Sequence, residues 1–203
     1  MIGRRFWEIG GFVAGAVLIL FGAAAIYMGV DGRNTVRDAL KQEQITFGAV
    51  DDPAVAKYAE QWAGEQVQTG DQARAFAQIM RFHTVNGEWN PDHLTYAQMG
   101  RFLAADDPSN PAGTSDEAAA LKDEKGSPVS NSFRNTWVTE TALTTALNTS
   151  YMAEQLSIFG MVVGVALLLT GFGLVILAFA VFGREPEAAT QRAPITSHQA
   201  VTG

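Results

Sequence analysis

Two long uncharged apolar segments, one towards each end of the chain, constrain the fold more than any other feature. Gly11 to Val30 is twenty residues without Asp, Glu, Lys, Arg or His, and Ile158 to Gly183 is twenty-six residues of the same kind. A helix rises about 1.5 Å per residue, and the hydrocarbon core of a bilayer is roughly 30 Å thick. Each segment is therefore long enough to cross a membrane as a helix.

The sequence predicts an all-α membrane protein in which two transmembrane helices flank a small helical extracytoplasmic domain. The predicted parts are a cytoplasmic N-terminus (1–10), transmembrane helix one (11–30), the extracytoplasmic domain (31–157) with a long polar loop (106–130), transmembrane helix two (158–183) and a cytoplasmic tail (184–203). The lipid bilayer is the first expected partner.

The orientation follows from the positive charges that flank the apolar segments. Four arginines lie outside the two segments on the terminal sides: Arg4, Arg5, Arg184 and Arg192. Since Lys and Arg are retained in the cytoplasm, both termini are expected there. Three cations just beyond the first segment weaken this asymmetry: Arg33, Arg37 and Lys41.

A secretory signal peptide is the alternative interpretation of the first apolar segment. Arg4-Arg5, the apolar stretch and Ala23-Ala24-Ala25 resemble its three regions. However, the apolar stretch continues to Val30, beyond a cleavage site at these alanines. This continuation favours a retained transmembrane helix.

Charge and cysteine content exclude several classes of function. Residues 31–157 carry ten Lys and Arg against eighteen Asp and Glu, a net charge of −8. An acidic domain is unsuited to phosphate-backbone binding, so no nucleic-acid partner is expected. The chain has no cysteine, which excludes disulfides, iron–sulfur clusters and thiolate zinc sites.

Glycines recur with the same spacing in both apolar segments. Each segment has a GxxxG pair followed by a further glycine seven residues on, and these six residues are the predicted helix-packing positions: Gly11, Gly15, Gly22, Gly160, Gly164 and Gly171. Small residues let helix backbones approach closely in lipid. The stripes are expected to pack on each other or on the helix of a partner, although glycine is also common in membrane helices generally.

The polar middle reads as a series of helices joined by turns. The predicted helices are a continuation of helix one over 35–44, a helix from Pro53 to about Thr69, a helix restarting at Gly70-Asp71, a helix opening at Asn90-Pro91-Asp92, a short helix over 117–121 and a long helix over 131–157 that runs into helix two. On that last helix, four residues are expected to face the core of the domain: Trp137, Leu143, Ala146 and Leu147.

Four residues within eleven positions form the one candidate metal site: His83, Glu88, Asp92 and His93. Histidine and carboxylate are the ligands of zinc and non-haem iron. The two histidines lack the i, i+4 spacing of a helical zinc motif, and Asn86-Gly87 places a turn between them. A helix end and a loop with polar residues is therefore the simpler interpretation, with no cofactor and no catalytic residue expected.

The layout resembles a family of small two-span membrane proteins of high-GC Gram-positive bacteria, often labelled aromatic ring-opening dioxygenase small subunit. The likeness covers roughly residues 10 to 182 and rests on these short matches: VRDAL and ITF after the first segment, ARAFAQI over 73–79, His83, LTYA over 94–97, and Phe133-Arg134 leading to Leu147-Asn148. The resemblance implies the two-span topology. The label implies a site with two histidines and one carboxylate.

These observations favour a non-catalytic accessory subunit of a larger membrane complex, such as a respiratory, oxidase or transport assembly. Other integral membrane subunits are then the expected partners. An extracytoplasmic ligand-binding or sensing module is the alternative, which a concave pocket with a few convergent polar groups would favour. A metalloenzyme using His83, His93 and Glu88 or Asp92 is the third hypothesis.

Overall fold

The computed structural model describes residues 2–182, with side chains described from 9 to 180. This part of the chain is helical and contains no β-strand, only isolated β-bridges. Four α-helices follow one another: α1 (Ile2–Gln42), α2 (Pro53–Tyr58), α3 (Gly70–Asn86) and α4 (Ser132–Leu177). Short 3₁₀ turns lie at Glu60–Trp62 and Tyr96–Gln98, and a π-helical turn, Ala178–Phe182, follows α4. The predicted tail, 184–203, lies outside the described residues.

The first and last helices are long and apolar enough to span a membrane. Only 11% of the most apolar window of the first helix and 17% of that of the last are buried. The core helix of a water-soluble protein is mostly buried, so these helices have the exposure of lipid-facing segments rather than of a protein interior. The prediction of a helical chain with two such helices is confirmed for residues 2–182.

The chain divides into two compact units. One comprises residues 1–23 and 165–203, and within it the start of α1 packs against the end of α4. A methyl group placed on Gly15 would lie 2.7 Å from the carbonyl oxygen of Gly171 and 2.7 Å from Cγ2 of Val175. The rings of Phe12 and Phe179 meet edge to face with centroids 5.7 Å apart. The absence of a side chain at Gly15 therefore sets the distance between the two helices in this unit.

The other unit, residues 24–164, contains a similar close contact between α1 and α4. A methyl group on Gly29 would lie 2.7 Å from the carbonyl oxygen of Ser157 and 2.6 Å from Cγ of Met161. A methyl group on Gly32 would meet Oγ of Ser157 at 2.8 Å. Here too, backbone approach requires glycine on α1.

The buried small residues follow a period of seven on each helix. On α1 they are Gly15, Gly22 and Gly29, on α4 they are Gly164 and Gly171, and Ala178 continues the period in the π-helical turn after α4. Of the six predicted packing glycines, Gly11 and Gly160 are half-buried, and a methyl group on Gly160 would have only one neighbour, at 3.9 Å.

The core of the second unit is formed by α2 and α3 together with the last turns of α1 and the first half of α4. Asp52 caps α2 by accepting a hydrogen bond from Ala54 N, and Thr69 and Gln72 form a capping box at the start of α3. The largest buried apolar side chains of this core are Leu40, Phe47, Val55, Val67, Ile79 and Leu147. Leu147 is thus a core residue as predicted, and so is the fully buried Trp137, but Leu143 and Ala146 are exposed.

The predicted helix from Pro53 to Thr69 is wrong beyond Tyr58. Gly64 has a φ of +76°, a left-handed conformation that ends the helical path. The chain then runs extended, and Val67 N donates to the carbonyl oxygen of Ile45. This pairing buries Val67 completely, so a tertiary contact overrides a helical sequence pattern.

The predicted helix at Asn90-Pro91-Asp92 is also wrong, because the Asn90 side chain serves the backbone of a loop. Asn90 is fully buried, its Oδ1 accepts from Leu94 N, and its Nδ2 donates to the carbonyl oxygens of Val85 and Leu94. His93 adopts a φ of +54° within this loop. An asparagine side chain that hydrogen-bonds to nearby backbone groups in this way competes with helix formation.

The polar loop, 106–130, contains paired extended segments instead of the predicted short helix over 117–121. Ala104 bridges Ala120, and Lys122 bridges Pro128. Asn131 ends the loop, donating from Nδ2 to the carbonyl oxygens of Gly100 and Pro111 and accepting from Phe133 N at the start of α4. The loop is therefore fastened to the long helix that follows it.

The packing between α1 and α4 predicts that chemically identical substitutions differ in their effect on stability. Gly15→Ala and Gly171→Ala place a methyl group within 2.8 Å of backbone oxygen on the facing helix, so we expect a loss of about 1–3 kcal/mol of folding stability. Gly10→Ala and Gly173→Ala are the matched controls, because nothing lies within 4 Å of either added methyl group. Unfolding in mixed micelles, followed by tryptophan fluorescence, measures the difference. Equal effects in the two pairs would contradict this packing.

Candidate functional site

A cleft of about 700 Å³ lies along α3 in the unit formed by residues 24–164. Its walls come from α2, α3 and α4, and the side chains that matter chemically are Lys57, Arg74, Gln78, Arg81, Thr141 and Asn148. The three cations among them define what we call the cationic cleft. Because Arg74, Gln78 and Arg81 are four and three residues apart, they share one face of α3.

Each cation of the cationic cleft lies over an aromatic ring. The Arg74 guanidinium is 4.8 Å from the ring centroid of Tyr151, and that of Arg81 is 4.3 Å from Trp137. Lys57 Nζ lies 5.0 Å from the ring centroid of Tyr58. Such cation–π contacts orient the side chains without neutralising their charge.

One carboxylate, that of Glu140, also lines the cationic cleft. Its side chain is only 4% exposed, and its Oε2 lies 3.5 Å from Nη1 of Arg81 and 3.3 Å from Oγ1 of Thr141. Glu140 is thus paired with Arg81, and among the described residues neither Lys57 nor Arg74 lies within ion-pair distance of a carboxylate.

A second concavity, of about 420 Å³, is mostly apolar and lies in the same unit. It is lined by side chains of α1, α3 and α4 that include Phe76, Met80 and Leu143. Leu143 and Ala146, expected in the core from the sequence, line this groove instead. The two concavities differ in chemistry, since one presents cations and amides and the other presents aliphatic and aromatic carbon.

A buried carboxylate connects three helices near the start of α3. Glu154 is 4% exposed, and its Oε1 accepts from Nε of Arg33 at 3.0 Å and from Nε of Arg37 at 2.7 Å. Its Oε2 accepts from the backbone N–H of Gly70, where the first turn of α3 leaves donors unsatisfied. We refer to these four residues as the Glu154 junction.

The environment of Glu154 favours its ionised form. Burial by itself raises the pKa of a carboxyl group, but the hydrogen bonds from Gly70, Arg37 and Arg33 outweigh it, so the pKa lies below the ordinary value of 4.5. Gly70 is required at this position, since a methyl group there would lie 2.9 Å from Oε2 of Glu154 and 2.9 Å from Cα of Tyr151. Because its pKa is lowered, the Glu154 carboxylate at the start of α3 is negatively charged near neutral pH.

The four metal ligands proposed from the sequence do not form one site in the structure. Nε2 of His83 lies 2.9 Å from Oδ2 of Asp52, the residue that caps α2. Nδ1 of His93 lies 3.1 Å from the carbonyl oxygen of Val85, and Glu88 and Asp92 are exposed. Within the described residues, no group of three or more His, Asp and Glu side chains could hold a metal ion.

Asp52 has its own charge environment, which includes the candidate ligand His83. Burial raises the pKa of Asp52, but the hydrogen bond from Ala54 and the nearby His83 ring together outweigh it, so the pKa lies below its ordinary value of 3.8. The Asp52–His83 contact ties the start of α2 to α3, and this is a structural role for His83.

Glu154, Arg74 and Arg81 are not among the functional residues expected from the sequence. A signal for Glu154 exists, because it precedes the second apolar segment by four residues while Arg33 and Arg37 follow the first at helical spacing. The i, i+4 and i, i+7 spacing of Arg74, Gln78 and Arg81 places them on one helix face. Neither pattern reveals which helix lies opposite.

Comparison with known protein families, with curated proteins and with solved structures gives no match.

The Glu154 junction predicts a large effect for one substitution and a small one for its control. Glu154→Ala leaves two guanidinium groups and the Gly70 N–H without their acceptor, so we expect a loss of about 2–4 kcal/mol in the free energy of unfolding. Asp38→Ala removes the exposed Asp38–Lys41 pair, and its expected loss is at most about 0.5 kcal/mol. Chemical denaturation in detergent compares them. Similar losses would show that Glu154 does not hold the helices together.

The lowered pKa of Glu154 predicts a pH dependence of stability with a definite sign. The ionised carboxylate stabilises the folded protein fully above its unfolded pKa, and this contribution is lost as pH falls through the lower, folded pKa. We therefore expect the melting temperature of the wild type to fall between about pH 5 and pH 3 more steeply than that of Glu154→Gln. Thermal unfolding across this range tests the difference, and parallel curves would rule out the proposed linkage.

Proposed function

We propose that the protein is a membrane-anchored, non-catalytic accessory subunit of a larger membrane assembly. In this proposal the apolar parts of α1 and α4 lie in lipid, residues 31–157 lie outside the cytoplasm, and both termini lie in the cytoplasm. The helices are long and apolar enough to cross a bilayer, and their large side chains are exposed, including Leu20 at 70% and Leu169 at 69%.

Exposed apolar side chains on α4, outside the apolar segment, are the observation that supports a protein partner. Val138, Met152 and Leu156 lie fourteen and four residues apart, which places them on one face, and they are 54%, 68% and 69% exposed. Met152 and Leu156 are neighbours one turn apart, and Val138 lies about 21 Å further along the same face. Adjoining exposed apolar side chains such as Met152 and Leu156 are typical of an interaction surface. We call these three residues the outer face of α4 and assign it to a neighbouring subunit.

The Glu154 junction supports the proposed orientation indirectly. Arg33 and Arg37 weaken the charge asymmetry expected of a chain with cytoplasmic termini. Both donate to the buried Glu154 carboxylate. Their position beyond the first apolar segment therefore has a structural reason that is independent of orientation, and the terminal arginines remain as the charges that direct insertion.

Single-cysteine labelling tests the membrane topology, because the natural chain has no cysteine. In intact cells, a membrane-impermeant maleimide is expected to label Ser127→Cys in the central domain and to leave Ser197→Cys unlabelled until the membrane is opened. Leu20→Cys and Leu169→Cys are expected to react only after denaturation, although both positions are exposed in the folded chain. Ready labelling of these two in native membranes would overturn the lipid assignment.

Co-purification tests the accessory role. In the mildest detergents the tagged protein is expected to bring down one integral membrane partner, identified by mass spectrometry, and the tagged partner is expected to recover this chain. Val138→Asp and Met152→Asp should abolish recovery, whereas Thr139→Asp, exposed on a neighbouring part of α4, should not. A lone monomer, or equal recovery with all three variants, would count against the outer face of α4 as the interface.

A further inference from the structure

We propose that the cationic cleft binds a small water-soluble organic anion bearing a carboxylate or phosphate group. This inference does not depend on the accessory role, since it concerns residues of α2, α3 and α4 other than the three of the outer face. It assigns a ligand-binding activity to the central domain.

The charge of the cationic cleft is opposite to that of the segment that contains it. Residues 31–157 carry a net charge of −8, yet Lys57, Arg74 and Arg81 converge on one cleft. Like charges gathered without partners raise the free energy of the folded protein, and a bound anion relieves that repulsion. In the described part of the chain, two of the three, Lys57 and Arg74, have no carboxylate at ion-pair distance to do so.

The cations are held in place before any ligand arrives. Arg74 and Arg81 lie over the rings of Tyr151 and Trp137, and Trp137 is only 1% exposed. Stacking on a ring leaves the N–H groups at the edge of a guanidinium available to an oxyanion, to which arginine can donate two parallel hydrogen bonds. Preorganised side chains lose less entropy on binding.

The size and lining of the cleft indicate an organic anion rather than a bare inorganic ion. Its volume of about 700 Å³ falls within the range of small-molecule sites. Gln78 and Asn148 supply amide donors and acceptors, and the rings of Tyr58 and Phe82 supply apolar surface. These groups suit a body that carries hydroxyl or amide groups and has one apolar side.

The Glu140 carboxylate does not oppose this assignment. It is 4% exposed, forms an ion pair with Arg81 and accepts a hydrogen bond from Thr141, so its charge is compensated within the wall of the cleft. Lys57 and Arg74, both exposed, set the charge that a ligand meets. Arg81 links the two roles, since it neutralises Glu140 and still borders the cleft.

A lipid headgroup is disfavoured as the anion by distance. Tyr151, on whose ring Arg74 lies, precedes Ile158 by seven residues, which is about 10 Å along a helix. The headgroup layer extends only roughly 5–8 Å beyond the hydrocarbon on each side. A lipid would have to leave its leaflet to reach Arg74 or Lys57, whereas a soluble anion would not.

The test uses the full chain in a non-ionic detergent, with inorganic phosphate and citrate as probes. Thermal unfolding and titration calorimetry are run at constant ionic strength, with chloride as the reference anion. We expect saturable stabilisation by citrate that exceeds any by phosphate, and about ten-fold weaker apparent affinity in Arg74→Gln and Lys57→Gln. Arg101→Gln is the matched control, because it removes one exposed positive charge away from the cleft.

Three outcomes would overturn the proposal. The first is stabilisation by phosphate and citrate no greater than by chloride. The second is an equal loss of affinity in Arg101→Gln, which would indicate general electrostatics rather than a site. The third is found in nanodiscs: a response to phosphatidylglycerol over phosphatidylcholine that Arg74→Gln abolishes, without any response to the soluble probes, would assign the cleft to lipid. Unchanged thermal unfolding of the variants without anions establishes that they fold.

Discussion

One buried carboxylate, that of Glu154, accepts hydrogen bonds from three donors, and the arrangement of the central domain depends on this interaction. Arg33 and Arg37 reach it from α1, and the first N–H of α3 reaches it from Gly70. A buried charge is tolerated only when it is paired and hydrogen-bonded, and here both conditions are met. The junction joins α1, α3 and α4 at one point and so fixes where α3 begins. The positions of Arg74, Gln78 and Arg81 on α3, opposite α4, follow from that start.

On the long helices, glycine residues allow the close approach that brings the helix backbones together. A carboxylate attracts neighbouring elements, whereas the missing side chains at Gly15, Gly29 and Gly171 allow the backbones to meet. In lipid, association between helices depends on close packing rather than on removal of apolar surface from water. The large apolar side chains are consequently left on the outside, where they suit a hydrocarbon solvent, and the small ones lie between the helices within each unit.

Sequence reasoning succeeded where one physical effect dominates and failed where two compete. The long helices were predictable because twenty uncharged residues have few alternatives, and the start of α2 was predictable because Asp52 and Pro53 act locally. The helix expected after Tyr58 does not form because Val67 pairs with Ile45 instead. The helix expected at Asn90 does not form because the Asn90 side chain hydrogen-bonds to the backbone of Val85 and Leu94. Both cases involve partners that periodicity does not reveal.

What the sequence by itself determined is that two charge-free runs form helices long and apolar enough to span a membrane, and that the segment between them is acidic. What only the tertiary structure decided is which side chains meet. His83 lies beside Asp52 rather than a second histidine, and Arg74 and Arg81 converge with Lys57 from another helix. The physical reason is that transfer between solvents depends on local composition, whereas convergence depends on the register of helices distant in sequence, set here by the Glu154 junction and by contacts at glycine.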